Sequence, residues 1–191
     1  YAQAKSLKLK LTGELPLDAE RVRAVRRARP DAWMGVDANQ GFDAASLSAL
    51  MPELVSCQVK LVEQPFARGR EAELDGFRCP IPVAADESVQ GLADIEPLAG
   101  RVDIVNIKLD KCGGLTEGLA MVAEARRLGL GVMVGNMVGT SLAMAPAWIL
   151  GQLCDINDRD GTLFIWRDRT PAMVFENGKV SYPDRGWGAA A

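Results

Sequence analysis

Lys8 and Lys10 alternate with Leu7, Leu9 and Leu11, so both ammonium groups leave an extended segment on the same side. Asp37 closes the run WMGVD, Glu63 closes VKLVE and Asp86 closes PVAAD; Lys108 follows DIVNI, and Asp158 and Asp160 follow CDIN. The chain contains no histidine, which removes the usual base near neutral pH and the usual zinc ligand. Any chemistry must then run on Lys, Asp, Glu or Cys. Three carboxylates ending three consecutive apolar runs make a set of hard oxygen ligands suited to Mg²⁺. Held close together without a cation, they would repel until at least one took up a proton. Singly, each residue has a plainer reading. The acids would serve as helix caps or loop residues, Lys8 and Lys10 as a solvated face, Lys108 as a rim residue, and Asp158-Arg159-Asp160-Gly161 as a turn. Their order along the chain gives them weight.

Those residues must be positioned by the elements they terminate. Apolar runs predict strands at Leu7 to Leu11, Trp33 to Val36, Val59 to Val62, Pro82 to Ala85, Val102 to Ile107, Gly131 to Val134 and Leu153 to Ile156. Between them, helical spacing predicts Leu17 to Ala28, Asp43 to Met51 with Asp43 as its cap, Glu71 to Gly76, Val89 to Leu98, Leu115 to Leu128 stopped by Gly129, and Ser141 to Leu150. Strands apolar on both faces suit a parallel sheet covered by helices. Units recurring about every 25 residues favour a (β/α)₈ TIM-type barrel, in which every strand delivers its C-terminal residue to one mouth. A doubly wound open sheet is the alternative, but its glycine-rich GxGxxG turn is missing.

A full barrel takes about 250 residues. The expectation is therefore an incomplete barrel, with strands 2–8 over residues 1–163 and the first strand missing. Residues 164–191 form an extended tail packing outside it. Beyond Gly161, Thr162 to Ile165 and Ala172 to Tyr182 read as extended, with Asn177-Gly178 as a hairpin turn. An opened barrel leaves an unpaired strand edge, which predicts association, either with the missing segment or with a second copy in a homo-oligomer.

Composition narrows the function classes. A net charge of −3, dispersed along the chain, offers no basic surface for nucleic acid. No apolar stretch approaches the roughly 20 residues that span a bilayer; Ser141 to Leu153 is short and broken by Pro146, so no membrane partner is expected. The N-terminus lacks the basic-then-apolar order of a signal peptide. Cys57, Cys79, Cys112 and Cys154 are widely spaced, without a CxxC pair, and read as free thiols of a cytoplasmic protein.

VDANQ (Val36 to Gln40), VEQP (Val62 to Pro65) and ADES (Ala85 to Ser88) resemble the metal-ligand motifs of the enolase superfamily. KLK (Lys8 to Lys10) and NIKLDKCGGL (Asn106 to Leu115) resemble the lysine motifs of its muconate-lactonizing subgroup. The resemblance runs from about Leu7 to Gly161. It implies that Asp37, Glu63 and Asp86 bind one Mg²⁺, with Mn²⁺ as a substitute ion. It also implies that Lys10 and Lys108 form an acid/base pair on opposite faces of a small carboxylate substrate. Lys8 would lower the pKa of Lys10 by like charge and touch the substrate carboxylate. Asn39 and Glu87 would support the ligands. Members of the family also carry an N-terminal capping segment, which is missing here. The implied reaction is removal and return of the proton alpha to the carboxylate, with the cation stabilising the enediolate. The outcome is racemisation or epimerisation.

Within that subgroup, muconate cycloisomerase, o-succinylbenzoate synthase, N-acylamino acid racemase and dipeptide epimerase share these motifs; mandelate racemase-type members use a histidine base. Asp158 and Asp160 resemble the DxD pair of dipeptide epimerases, implying that they hold a dipeptide's free ammonium. The stretch GNMVGTS (Gly135 to Ser141) departs from the related motifs, where a glutamate is common. That departure keeps an N-acylated amino acid such as N-acetylglutamate as an alternative substrate. Two readings from other classes remain. GNMVGTS could bind phosphate as in aldolase-like barrels, or the chain could be a non-catalytic binding module.

Overall fold

Residues 2–183 are described by the computed structural model. The chain separates into one unit of residues 1–88 with 100–104 and a second of 89–99 with 105–191. In the first unit, β1 (Ser6–Lys10), β2 (Trp33–Asp37), β3 (Leu61–Glu63) and β4 (Val83–Ala85) lie side by side in sequence order. β1 with β2, β2 with β3 and β3 with β4 all pair in parallel. Their register explains the grouping of charges. Lys10 pairs with Asp37, Asp37 with Glu63, and Glu63 with Ala84, two residues before Asp86. Three charged residues thus stand in one row across the C-terminal strand ends.

Helices α1 (Leu15–Ala28) and α2 (Ala44–Ser56) connect these strands. Asp43 caps α2 as expected: its carboxylate accepts from Ser46 N at 2.8 Å, and the Ser46 hydroxyl oxygen accepts from Asp43 N at 3.0 Å. Both helices turn apolar residues inward, with Val22, Leu47 and Leu54 fully buried. β3 and β4 are buried along their whole length, as strands covered on both faces should be.

The second unit carries β5 (Ile104–Lys108) from Val105 onward, α3 (Leu109–Cys112), α4 (Leu115–Arg127), β6 (Gly131–Gly135), α5 (Ser141–Leu150) and β7 (Ile156–Asn157), its strands in the order β5-β6-β7. β6 and β7 pair in parallel through Met133 with Ile156 and Val134 with Asn157. The hairpin is present: β8 (Val174–Glu176) pairs antiparallel with β9 (Lys179–Ser181). Asn177 at φ 52° and Gly178 at φ 71° supply the two left-handed residues that a tight two-residue turn requires.

Several expectations are corrected. Glu71 to Gly76 is a single 3₁₀ turn, Glu71–Leu74, and Val89 to Leu98 is two such turns, Leu92–Asp94 and Glu96–Leu98. In the latter, the Asp94 carboxylate accepts from Gln90 N and Gly91 N, folding the segment back before a helix can propagate. Thr162 to Ile165 is not extended; Gly161–Phe164 forms a 3₁₀ turn in which Leu163 N donates to Asp160 O at 2.8 Å. The strand expected at Leu153 to Ile156 begins three residues later, because Gly151–Leu153 continues α5 as a 3₁₀ turn. Of the tail expected over 164–191, residues 184–191 lie outside the described residues. No helix among the described residues is long and apolar enough to cross a membrane.

Candidate metal centre

The ends of β2, β3 and β4 bring Asp37, Glu63 and Asp86 together. Each offers a carboxylate oxygen within 4.8 Å of the other two. Asp37 and Glu63 are fully buried and Asp86 is 2 % exposed. Three anions so placed are expensive to desolvate unless cations face them. β1 provides two. Lys8 Nζ lies 2.9 Å from Glu63 Oε2 and 3.5 Å from Asp37 Oδ2, and Lys10 Nζ lies 2.5 Å from that same Asp37 oxygen. The two lysines differ in setting: the Lys8 side chain is 16 % exposed and that of Lys10 is 60 % exposed. Lys10 therefore has the freedom to reach a bound molecule.

Burial raises the Glu63 carboxyl to about pKa 7; Lys8 pulls it down, while Asp37 and Asp86 push it further up. Three carboxylates here face the ammonium groups of Lys8 and Lys10, so by formal charge the cluster keeps one negative charge in excess. Donors to an octahedral Mg²⁺ at about 2.1 Å lie roughly 3 to 4 Å apart. The oxygen-only set, its burial and its excess negative charge fit such an ion.

The remaining expected residues fall as follows. Asn39 is exposed at φ 45°, and its backbone N–H, rather than its side chain, reaches Asp37 Oδ1 at 3.0 Å. Glu87 is half-buried beside Asp86. Lys108, Asp158 and Asp160 belong to the second unit and are all half-buried. Lys108 ends β5 where α3 begins. The backbone N–H of Asp158 donates to Val134 O at 2.9 Å, which fixes the start of the Asp158–Asp160 loop against β6. Between the two aspartates, Arg159 turns elsewhere. Its guanidinium stacks 4.4 Å from the centroid of Trp148 and donates to Trp148 O, at the C-terminal end of α5.

Sequence reasoning missed three residues. Asp18 is fully buried and accepts from Thr12 N and Gly13 N, closing the turn that follows Lys10. Gly135 leaves room for the Lys108 stem: a Cβ there would stand 2.9 Å from Lys108 Cε and 2.9 Å from Asn106 Oδ1. Gln64 follows Glu63 at φ 38° with its side chain 4 % exposed. Only the last had a visible signal, its place inside VEQP.

The phosphate reading of GNMVGTS meets a physical objection. At the start of α5, Ser141 N donates to Asp168 Oδ1 at 2.8 Å, the Ser141 hydroxyl binds the same carboxylate, and Ala143 N donates to Thr140 Oγ1. Of the donors that would cradle phosphate, the two of Ser141 already face an anion and that of Ala143 a hydroxyl. The four cysteines are free thiols, as expected. Burial pushes the Cys154 thiol up to about 11 and also raises Cys57 and Cys79, which disfavours their use as nucleophiles.

Comparison with known proteins agrees with this geometry. The family described as "Enolase C-terminal domain-like" matches residues 1–190. The L-Ala-D/L-Glu epimerase of Escherichia coli (strain K12) is 41% identical over 179 residues, covering 94% of this chain and 55% of the relative. The N-acetyl-D-glutamate racemase of a Pseudoalteromonas species is 39% identical over 161 residues, covering 84% of this chain and 51% of the relative. A crystal structure of a dipeptide epimerase from Methylococcus capsulatus, complexed with Mg and the dipeptide L-Arg-D-Lys, matches with a TM-score of 0.88 at 32% identity. That match covers 94% of this chain and 53% of the other. The chain thus spans about half the length of the curated relatives it matches. Its fold is the incomplete (β/α)₈ barrel expected from the sequence. The chain belongs to the enolase C-terminal domain-like family.

Proposed function

We propose that the protein is a Mg²⁺-dependent epimerase that removes and returns the proton alpha to the carboxylate of a dipeptide. The observation that carries this reading is the buried trio Asp37, Glu63 and Asp86 with Lys10 at its exposed edge. The trio holds the ion. When bound, the ion supplies positive charge to the substrate carboxylate, making the neighbouring C–H acidic enough for an amine. Lys8, half-buried between Asp37 and Glu63, keeps those carboxylates in place and lends charge to the substrate's acid group.

Lys10, as the neutral amine, takes the α-proton: the Cα–H bond breaks and a proton joins Nζ. Lys108, as an ammonium, gives a proton to the opposite face of the same carbon, so that the configuration inverts. Run backwards, the two exchange roles. Asp158 and Asp160 bind the free α-ammonium of the dipeptide, the group best matched to two carboxylates.

N-acetylglutamate is the second reading, favoured by the identity to the N-acetyl-D-glutamate racemase. The intact protein is tested with L-Ala-L-Glu, other dipeptides and N-acetyl-D-glutamate in D₂O, with Mg²⁺ or with EDTA. Loss of the α-proton signal in NMR, dependent on Mg²⁺ and fastest with a dipeptide, is expected. Fastest exchange with N-acetyl-D-glutamate selects the second reading, and no metal-dependent exchange with any of them refutes both.

A further inference from the structure

We propose that Gln64 is the positioning residue of the metal centre: its side-chain amide fixes the loop carrying Asp86 against the loop that follows Glu63, while its backbone ties in the loop after Asp37. This rests on the reading of Asp37, Glu63 and Asp86 as metal ligands.

Gln64 touches every one of those loops. It follows Glu63 directly. Its backbone N–H donates to Ala84 O at 2.8 Å and its carbonyl accepts from Gln40 N at 2.8 Å, which ties β3 to β4 and to the loop after Asp37. Its side-chain oxygen accepts from Asp86 N at 2.8 Å and from Ser88 N at 3.2 Å. Its side-chain nitrogen donates to Phe66 O at 2.9 Å and to Ser88 Oγ at 2.8 Å. The amide therefore uses both donors and both lone pairs, away from water. Rotating it by half a turn would set NH₂ against two N–H donors and oxygen against a carbonyl, so its orientation is fixed.

The contact to Asp86 is the consequential one. Asp86 is the ligand beyond the end of the strand ladder, and Gln64 accepts its backbone N–H. The network continues outward, with Ser88 Oγ donating to Glu71 Oε1 at 2.6 Å and Gly69 N to the same carboxylate oxygen at 2.8 Å. Burial opposes ionisation of Glu71, but the bonds from Ser88 and Gly69 outweigh it and hold its carboxyl below the ordinary range. Gln64 also adopts φ 38°, a left-handed conformation that a side-chain-bearing residue keeps only where its surroundings fix it. A residue merely filling space would need neither that backbone nor four polar contacts.

The test is Mn²⁺ affinity of the intact, metal-stripped protein, read from the free-ion EPR signal without substrate. Gln64→Glu keeps size and one acceptor but cannot donate to Phe66 O; Gln64→Leu removes the network, and Ser88→Ala removes one outer link. Val22→Ala, a packing defect in α1, is the control for lost stability alone. The expected result is Mn²⁺ binding weakened about tenfold or more in both Gln64 variants. Ser88→Ala should show a smaller loss in the same direction, and Val22→Ala a lower Tm with unchanged affinity. Parent-like affinity in folded Gln64→Glu overturns the proposal, as does equal weakening in Val22→Ala. Should neither Gln64 variant fold, parent-like affinity in Ser88→Ala overturns it. A parent protein that binds no Mn²⁺ refutes the metal reading itself, and Gln64's role falls with it.

Discussion

Replacing Glu63 with glutamine should remove a pH dependence that the wild-type fold carries. Glu63 is fully buried, and its carboxyl sits at about 7 instead of 4.5, chiefly because burial disfavours the anion. A folded pKa above the unfolded one means that the folded chain binds more protons between those values. Stability from this group is therefore greatest at low pH and falls as pH rises from about 4.5 to 7. Linkage over that interval makes the metal-free protein roughly 2 to 3 kcal/mol less stable at pH 8 than at pH 5 through this residue alone. Glutamine matches the protonated carboxyl in shape and carries no charge, so Glu63→Gln should lack that component. Chemical denaturation in EDTA at pH 5 and pH 8 reads the difference directly. The variant should gain on the parent by about 2 to 3 kcal/mol between the two pH values, while Mg²⁺ at pH 8 stabilises only the parent. Parallel profiles for parent and variant, or Mg²⁺ stabilising both equally, would refute the reasoning.

Two further outcomes follow from the second unit. Gly135→Ala places a methyl 2.9 Å from Lys108 Cε and should displace that side chain; a shift near 1 Å costs roughly 100-fold in kcat, with Mn²⁺ binding retained, as turnover and EPR would show. Asp158→Asn and Asp160→Asn each weaken a charge-assisted contact to an ammonium, so KM for dipeptides should rise about 10- to 100-fold. N-acetyl-D-glutamate has no such ammonium, and its kinetics, measured in parallel, should be unchanged; equal losses for both substrates would remove the aspartates from ammonium binding.

Much of this was legible because the chemistry sits at strand ends. The α2 cap was readable from Asp43 with Ser46, and α5 was bounded correctly at Ser141 and Leu150. The carboxylate trio followed from order alone, since parallel strands deliver their last residues to a common edge. What escaped depended on backbone geometry. Nothing in VEQP says that Gln64 turns left-handed and buries its amide, because that amide is fixed largely by Asp86 and Ser88, 22 and 24 residues further along the chain. Gly135 read only as the first residue of GNMVGTS, whereas its lack of a side chain makes room for a lysine from another strand. The outer connections at Glu71–Leu74 and Leu92–Asp94 have apolar spacing compatible with a helix, but local side-chain hydrogen bonds such as that of Asp94 favour tighter turns.

Deuterium exchange at the substrate α-carbon in Lys10→Ala and Lys108→Ala variants, followed separately from each epimer, tests the two-amine claim most directly. The account predicts that neither variant epimerises, that each retains exchange from at most one epimer, and that the retained epimer differs between them. A variant that epimerises at the parent's rate, or exchange that survives EDTA undiminished, would contradict it.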